Sequence, residues 1–222
     1  MRESRPASTH SPTKGYSMPL SDIPLRKIAS AALLVVLACT DSTAPEGRSL
    51  SELHQLHVSS SYPALAATQA SFYAVKGKDA GVDLWYHARP GSTDSLKFVE
   101  FRMGPMALDR RPDGSAVALG DSVLITLTVT DATHLTIDYQ PAGLTFSAID
   151  QPTLKMFWVA CGDDLNYDGK VDDADAALSQ QFSIWRQESP GAPWFKVPSF
   201  VAQGTKEVDA HLEGFTGYAV LY

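Results

Sequence analysis

"SVLITLTVT", Ser122–Thr130, decides the fold. Ile125, Leu127 and Val129 alternate there with Leu124, Thr126 and Thr128. An extended chain sends successive side chains to opposite faces, so this pattern makes one oily and one wetter surface. β-Branched residues crowd the stretch, which suits a half-buried strand. Working outward, "VDLWYHA" (82–88), "SLKFVEFRM" (95–103) and "HLTIDYQ" (134–140) carry the same signature. "TLKMFWVAC" (153–161), "FSIWRQ" (182–187), "WFKVPSFVA" (194–202), "KEVDAHLEG" (206–214) and "FTGYAVLY" (215–222) continue it. Turn clusters such as "RPGSTD", "RPDGS", "LGD", "TDAT" and "QPAG" punctuate them. Short strands at this spacing predict an all-β antiparallel sandwich over residues 71–222, large enough to bury one core.

The chain has 222 residues, 44% hydrophobic and 19% charged, which excludes a disordered or collagenous polymer. Its beginning reads differently from the rest. "IPLRKIASAALLVVLAC" sets Arg26 and Lys27 before an apolar run, Ile28 to Leu37, closed by Ala38 and Cys39. That order marks residues 1–38 as a secretory signal, and the run is too short to span a bilayer. Met18 is the expected initiator, because residues 1–17 sit awkwardly ahead of such a signal. Residues 39–70 are expected to tether the domain: "TDSTAPEGRS" (40–49) is small, polar and turn-forming. Within the tether, Ser49 and Glu52 have capping-box spacing for a turn or two of helix.

Val36-Leu37-Ala38-Cys39 resembles the lipobox of bacterial lipoproteins, although Leu37 stands where a smaller residue is usual. The resemblance implies a diacylglycerol on the Cys39 thiol and a lipid anchor in the cell envelope. Thr40 does not resemble an inner-membrane retention signal, so the outer membrane is the expected place. The alternatives are ordinary secretion with a free Cys39, or a Cys39–Cys161 disulfide. With Cys39 acylated, Cys161 is alone of the 2 cysteines, and no disulfide supports the domain.

Net charge is −7. Residues 1–38 hold five of the 18 basic and two of the 25 acidic residues, leaving a remainder of about −10. Nucleic acid requires a basic footprint and is excluded as a partner.

The remaining feature is "DLNYDGKVDDAD", Asp164–Asp175. Asp164, Asn166 and Asp168 stand at positions 1, 3 and 5 of a twelve-residue loop, and Gly169 supplies the turn at position 6. The Lys170 carbonyl falls at position 7, Asp172 at position 9 and Asp175 at position 12. Such oxygens suit calcium, a hard cation taking six to eight of them, and serve zinc or copper poorly. Asp172 is a candidate N-cap for a short exit helix, with Asp175 three residues on. Ala174, Ala177 and Leu178 are expected to give that helix an apolar side, and Val171 to pack inward.

The loop is similar to the calcium loops of dockerins, being entered from a strand and closed by Asp175 in place of glutamate. Dockerins carry two such loops and this chain carries one, so cohesin binding is not expected. A second resemblance joins Pro141, Gly143 and Phe146 of "QPAGLTF" to Phe215, Gly217, Tyr218 and Ala219 of "FTGYAV". These positions are similar to the sandwich domain shared by ankyrins and netrin receptors, which implies adhesion or assembly.

No catalytic signature is legible. His54 and His57 lack the glutamate and third ligand of a zinc motif, and neither a nucleophile elbow nor a phosphate-binding loop occurs. Cys161 ends an apolar strand, where a free thiol is usually inert packing. The expectation is therefore a non-enzymatic binding or structural module, partnered by an unspecified protein or glycan. A carbohydrate-binding or glycan-hydrolysing protein is the alternative. It would need Trp85 and Trp194 exposed on one concave surface or paired carboxylates in a cleft, with Trp158 and Trp185 as core.

Overall fold

The computed structural model describes residues 46–222. Cys39, the signal segment and the start of the tether lie outside them. Thirteen strands follow in order: β1 (Gln69–Val75), β2 (Ala80–Trp85), β3 (Lys97–Met103), β4 (Leu108–Arg110), β5 (Ser122–Asp131), β6 (Thr136–Gln140) and β7 (Thr145–Phe146). After them come β8 (Thr153–Phe157), the helix α1 (Asp173–Ser179), β9 (Ser183–Gln187), β10 (Trp194–Lys196), β11 (Ser199–Ala202), β12 (Glu207–His211) and β13 (Gly217–Leu221). One sheet runs β1-β5-β6-β13-β9-β10 and the other β11-β12-β8-β3-β2, with β4 and β7 forming a small third pair. Every pairing within these sheets is antiparallel. The two large sheets pack as the sandwich that the alternation predicts.

β5 shows why. Val123, Ile125, Leu127 and Val129 are buried while Ser122, Leu124 and Thr130 face out. From the neighbouring β6, Ile137 and Tyr139 point the same way, and Phe101, Leu154, Met156 and Val208 meet them from the other sheet. The segments "QPAGLTF" and "FTGYAV" touch one another: Phe215 accepts from the Gly143 amide and donates to the Leu144 carbonyl. Its ring stands edge-on to Phe146 at 4.8 Å.

Three sequence expectations are corrected. The expected strand 194–202 is two strands in different sheets, because Pro198 has no N–H to donate and the chain crosses between sheets there. The strand expected to reach Cys161 ends at Phe157; Val159–Cys161 form a 3-10 turn instead. The tether stops early, since Leu53 and Leu56 are buried. Backbone bridges tie Arg48 to Trp194 and Gln55 to Leu221, so this strap covers the outer face of the six-stranded sheet. Leu53, Trp185, Trp194, Ala219 and Leu221 form a second, smaller core beneath it. The capping box does form, with the Glu52 carboxylate accepting from the Ser49 amide at 2.8 Å.

Candidate functional site

The acidic loop is the connection from β8, in the middle of one sheet, to β9 in the other. The chain leaves β8 through the Val159–Cys161 turn and re-enters the sandwich through α1. Between them Asp175 closes a ring. One of its oxygens accepts from the Leu165 amide at 2.7 Å and the Asn166 amide at 3.1 Å; the other accepts from the Asp172 amide at 3.0 Å. The Asp172 amide, joined by those of Leu165 and Asn166, holds the Asp175 carboxyl below its usual value despite the opposing effect of burial.

At the other end, Asp164 accepts from the amides of Asp168 at 3.1 Å and Gly169 at 2.9 Å. Asn166 Oδ1 accepts from the Asp168 amide, and Asp168 Oδ1 from that of Lys170, both at 2.9 Å. The turn needs left-handed backbone at Tyr167 and Gly169, φ 60° and 86°, which glycine adopts without strain. Asp172 caps α1 by accepting from the Ala174 amide at 2.9 Å, as the sequence predicts. The Lys170 side chain is exposed.

The helix faces are in part otherwise than expected. Ala174 and Ala177 are exposed, Leu178 is half-buried and Val171 is 69% exposed; the inward residues are Asp175 and Ser179. Leu178 packs against the core as expected, and beside it the Ser179 hydroxyl donates to Gln203 at 3.0 Å. Polar contacts also fix the loop elsewhere. The Tyr167 hydroxyl accepts from the His57 amide of the strap at 2.8 Å, and Asp163 pairs with Lys206.

The six donors expected to bind calcium are therefore brought into one hydrogen-bonded loop. Their chemistry is what calcium takes, and each ionised carboxylate keeps lone pairs beyond those its amide partners use. Convergence is incomplete, however. Among the described residues, no group of three or more His, Cys, Asp or Glu side chains is gathered closely enough to hold a metal.

Elsewhere, Trp158, Trp185 and Trp194 are buried, and only Trp85 is substantially exposed. Trp85 lies on β2 and Trp194 on β10, in opposite sheets, so they share no platform. His54 stacks on Tyr222 and His57 lies edge-on to His134 at 4.4 Å. Cys161 is buried, and burial pushes its thiol up to about 12 although nearby Lys206 pulls the other way. Thiolate, the reactive form, is then almost absent at pH 8. Cys161 should resist alkylation in the native protein and react fully in denaturant; rapid native labelling counted by mass spectrometry would contradict its burial. No family model matches the chain, and no curated protein or solved structure gives a match.

Proposed function

We propose that this protein is an exported, lipid-anchored module of the bacterial cell envelope, held at the outer membrane by acyl chains on Cys39. In this reading the loop 164–175 takes one calcium ion as a structural element, with Asp164, Asn166, Asp168, the Lys170 carbonyl, Asp172 and Asp175 as its donors. The protein binds or braces a partner and performs no catalysis. The observation that carries the reading is the ring closed by Asp175. Its carboxylate is buried and tied to three backbone amides, so the crossover from β8 to β9 is held closed at the end that carries the last proposed donor.

The ion supplies positive charge among four Asp side chains, relieving the mutual repulsion that opposes closure. The chain's own part is to hold them within reach. α1 presents Asp175, the turn at Gly169 folds Asp164 over the loop's amides, and Tyr167 fastens the loop to the strap. The carbohydrate reading has no matching support, because Trp194 is buried under the strap.

Trypsin tests this proposal directly. Lys170 is exposed at the loop's apex, so in chelator the loop should open and be cut after it, while saturating calcium should slow that cleavage at least about tenfold. Equal cleavage rates in calcium and chelator would remove the calcium part. Labelling with a radioactive fatty acid, abolished by Cys39→Ser, tests the anchor separately.

A further inference from the structure

The large apolar side chains that face water are not spread evenly. Five of the ten exposed among the described residues, Tyr73, Met106, Leu119, Leu124 and Ile149, gather at one corner of the sandwich. Tyr73 and Leu124 stand opposite each other near the end of β1 and the start of β5. Leu119 lies against Gly77, so near that a Cβ there would meet it at 2.9 Å. The Gly77 amide donates to the Pro105 carbonyl, and the Met106 amide to Asp150 beside Ile149, both at 2.6 Å. Three connections, β1–β2, β3–β4 and β7–β8, are thereby joined to the approach to β5. Ile149 is 93% exposed and Leu119 75%. Single exposed apolar residues are ordinary, whereas a contiguous group of them marks a contact with protein or membrane.

The chain's course decides between these two. In the lipid-anchored reading, on which this inference rests, seven peptide steps separate Cys39 from Glu46, a reach of at most about 25 Å. Gly47 packs on Phe195 and Pro193, where a Cβ would meet either at 2.8 Å. Phe195 in turn lines one cavity with Gln151, two residues from Ile149. The tether therefore starts beside the exposed corner, and the bilayer is the apolar surface within its reach. Lys76 and Lys78 on the β1–β2 turn pair with no carboxylate among the described residues. Asp79 is the turn's acid, so a net positive charge is left there for lipid phosphate.

We propose that this corner is a membrane-docking surface. Ile149, Leu119 and Met106 enter the boundary between headgroups and acyl chains, and Lys76 and Lys78 meet phosphates. The lipid on Cys39 supplies attachment, and the corner sets orientation. The loop 164–175 leaves from the other end of β8 than the one Ile149 precedes, so it stands away from the bilayer.

The test adds single tryptophans to the acylated protein on phosphatidylcholine vesicles whose chains carry bromine, a short-range quencher of indole. The wild type, with its 4 tryptophans, gives the baseline. Ile149→Trp and Leu119→Trp should each lose at least about half of the added emission relative to unbrominated vesicles, as entry by about 5–10 Å requires. Thr93→Trp, beyond the opposite end of β3 from Met106, should lose none. All three positions are exposed, which spares the fold. Flotation with the vesicles is read alongside. Protein that floats with neither tip quenched overturns this inference and leaves the anchor standing; protein that does not float overturns both. Equal quenching at all three positions would show a tethered domain without orientation, and overturns it as well. So would a dimer in sedimentation with both tips unquenched, since a second copy would then cover the corner.

Discussion

Alanine in place of Phe215 is expected to remove about 3–5 kcal/mol of folding stability. Against a total of roughly 5–15 kcal/mol for a domain, that is enough to leave much of the protein unfolded at 37 °C. The residue is 1% exposed. Its ring stacks on Tyr139 at 4.6 Å, meets Phe146 edge-on at 4.8 Å and lies 5.7 Å from Phe101. Tyr139 belongs to the six-stranded sheet and Phe101 to the five-stranded one, so a single side chain holds both layers and the short β7. Truncation leaves a cavity that rigid strands on both sides cannot fill. Phe200, 68% exposed on β11, is the control and should change stability by less than about 0.5 kcal/mol as alanine. Urea denaturation measures both. A loss below about 1 kcal/mol at Phe215 would show that the sheets do not depend on this cluster.

The second large effect lies in the loop. Calcium at a hundredfold excess over its dissociation constant should add about 2.7 kcal/mol, which raises the melting temperature of a domain this size by about 5–10 °C. Asp175→Asn should abolish that increment. The amide keeps the side chain's size but loses the charge, and one of its two ends can no longer accept from the Leu165, Asn166 and Asp172 amides. Acid should imitate the substitution. The Asp175 carboxyl titrates below its ordinary value of 3.8 in the folded state. Its contribution is therefore present above that value and fades as pH falls through the lower folded one. Thermal melts in calcium and in chelator, at pH 7 and below pH 4, give the comparison. A calcium-dependent shift that survives in Asp175→Asn would relocate the site.

Fold class was legible because stretches such as Ser122–Thr130 keep strict alternation, and only a sheet with one buried face rewards that pattern. What escaped has physical reasons. Trp158, Val159, Ala160 and Cys161 are apolar like the strand before them, so composition alone could not show the chain curling into a 3-10 turn. β1 gave a weaker signal than its partner β5, being marked by Phe72 and Tyr73 among small residues. The strap was hidden by its polar surroundings, and its two buried leucines serve different clusters, Leu53 the smaller core and Leu56 the main one. On α1 only Leu178 of the three apolar residues packs against the core, because the other inward positions are taken by a capping carboxylate and a serine with partners of their own. The loop was the most legible part of the candidate site, since its donors are consecutive and its hydrogen bonds local.

The account rests on the loop 164–175 holding one calcium ion. Calcium titrated calorimetrically into the metal-free full chain tests this most directly. The predicted result is a single saturable site of one ion per chain, absent in Asp175→Asn. A folded wild-type protein that takes up no calcium would contradict it.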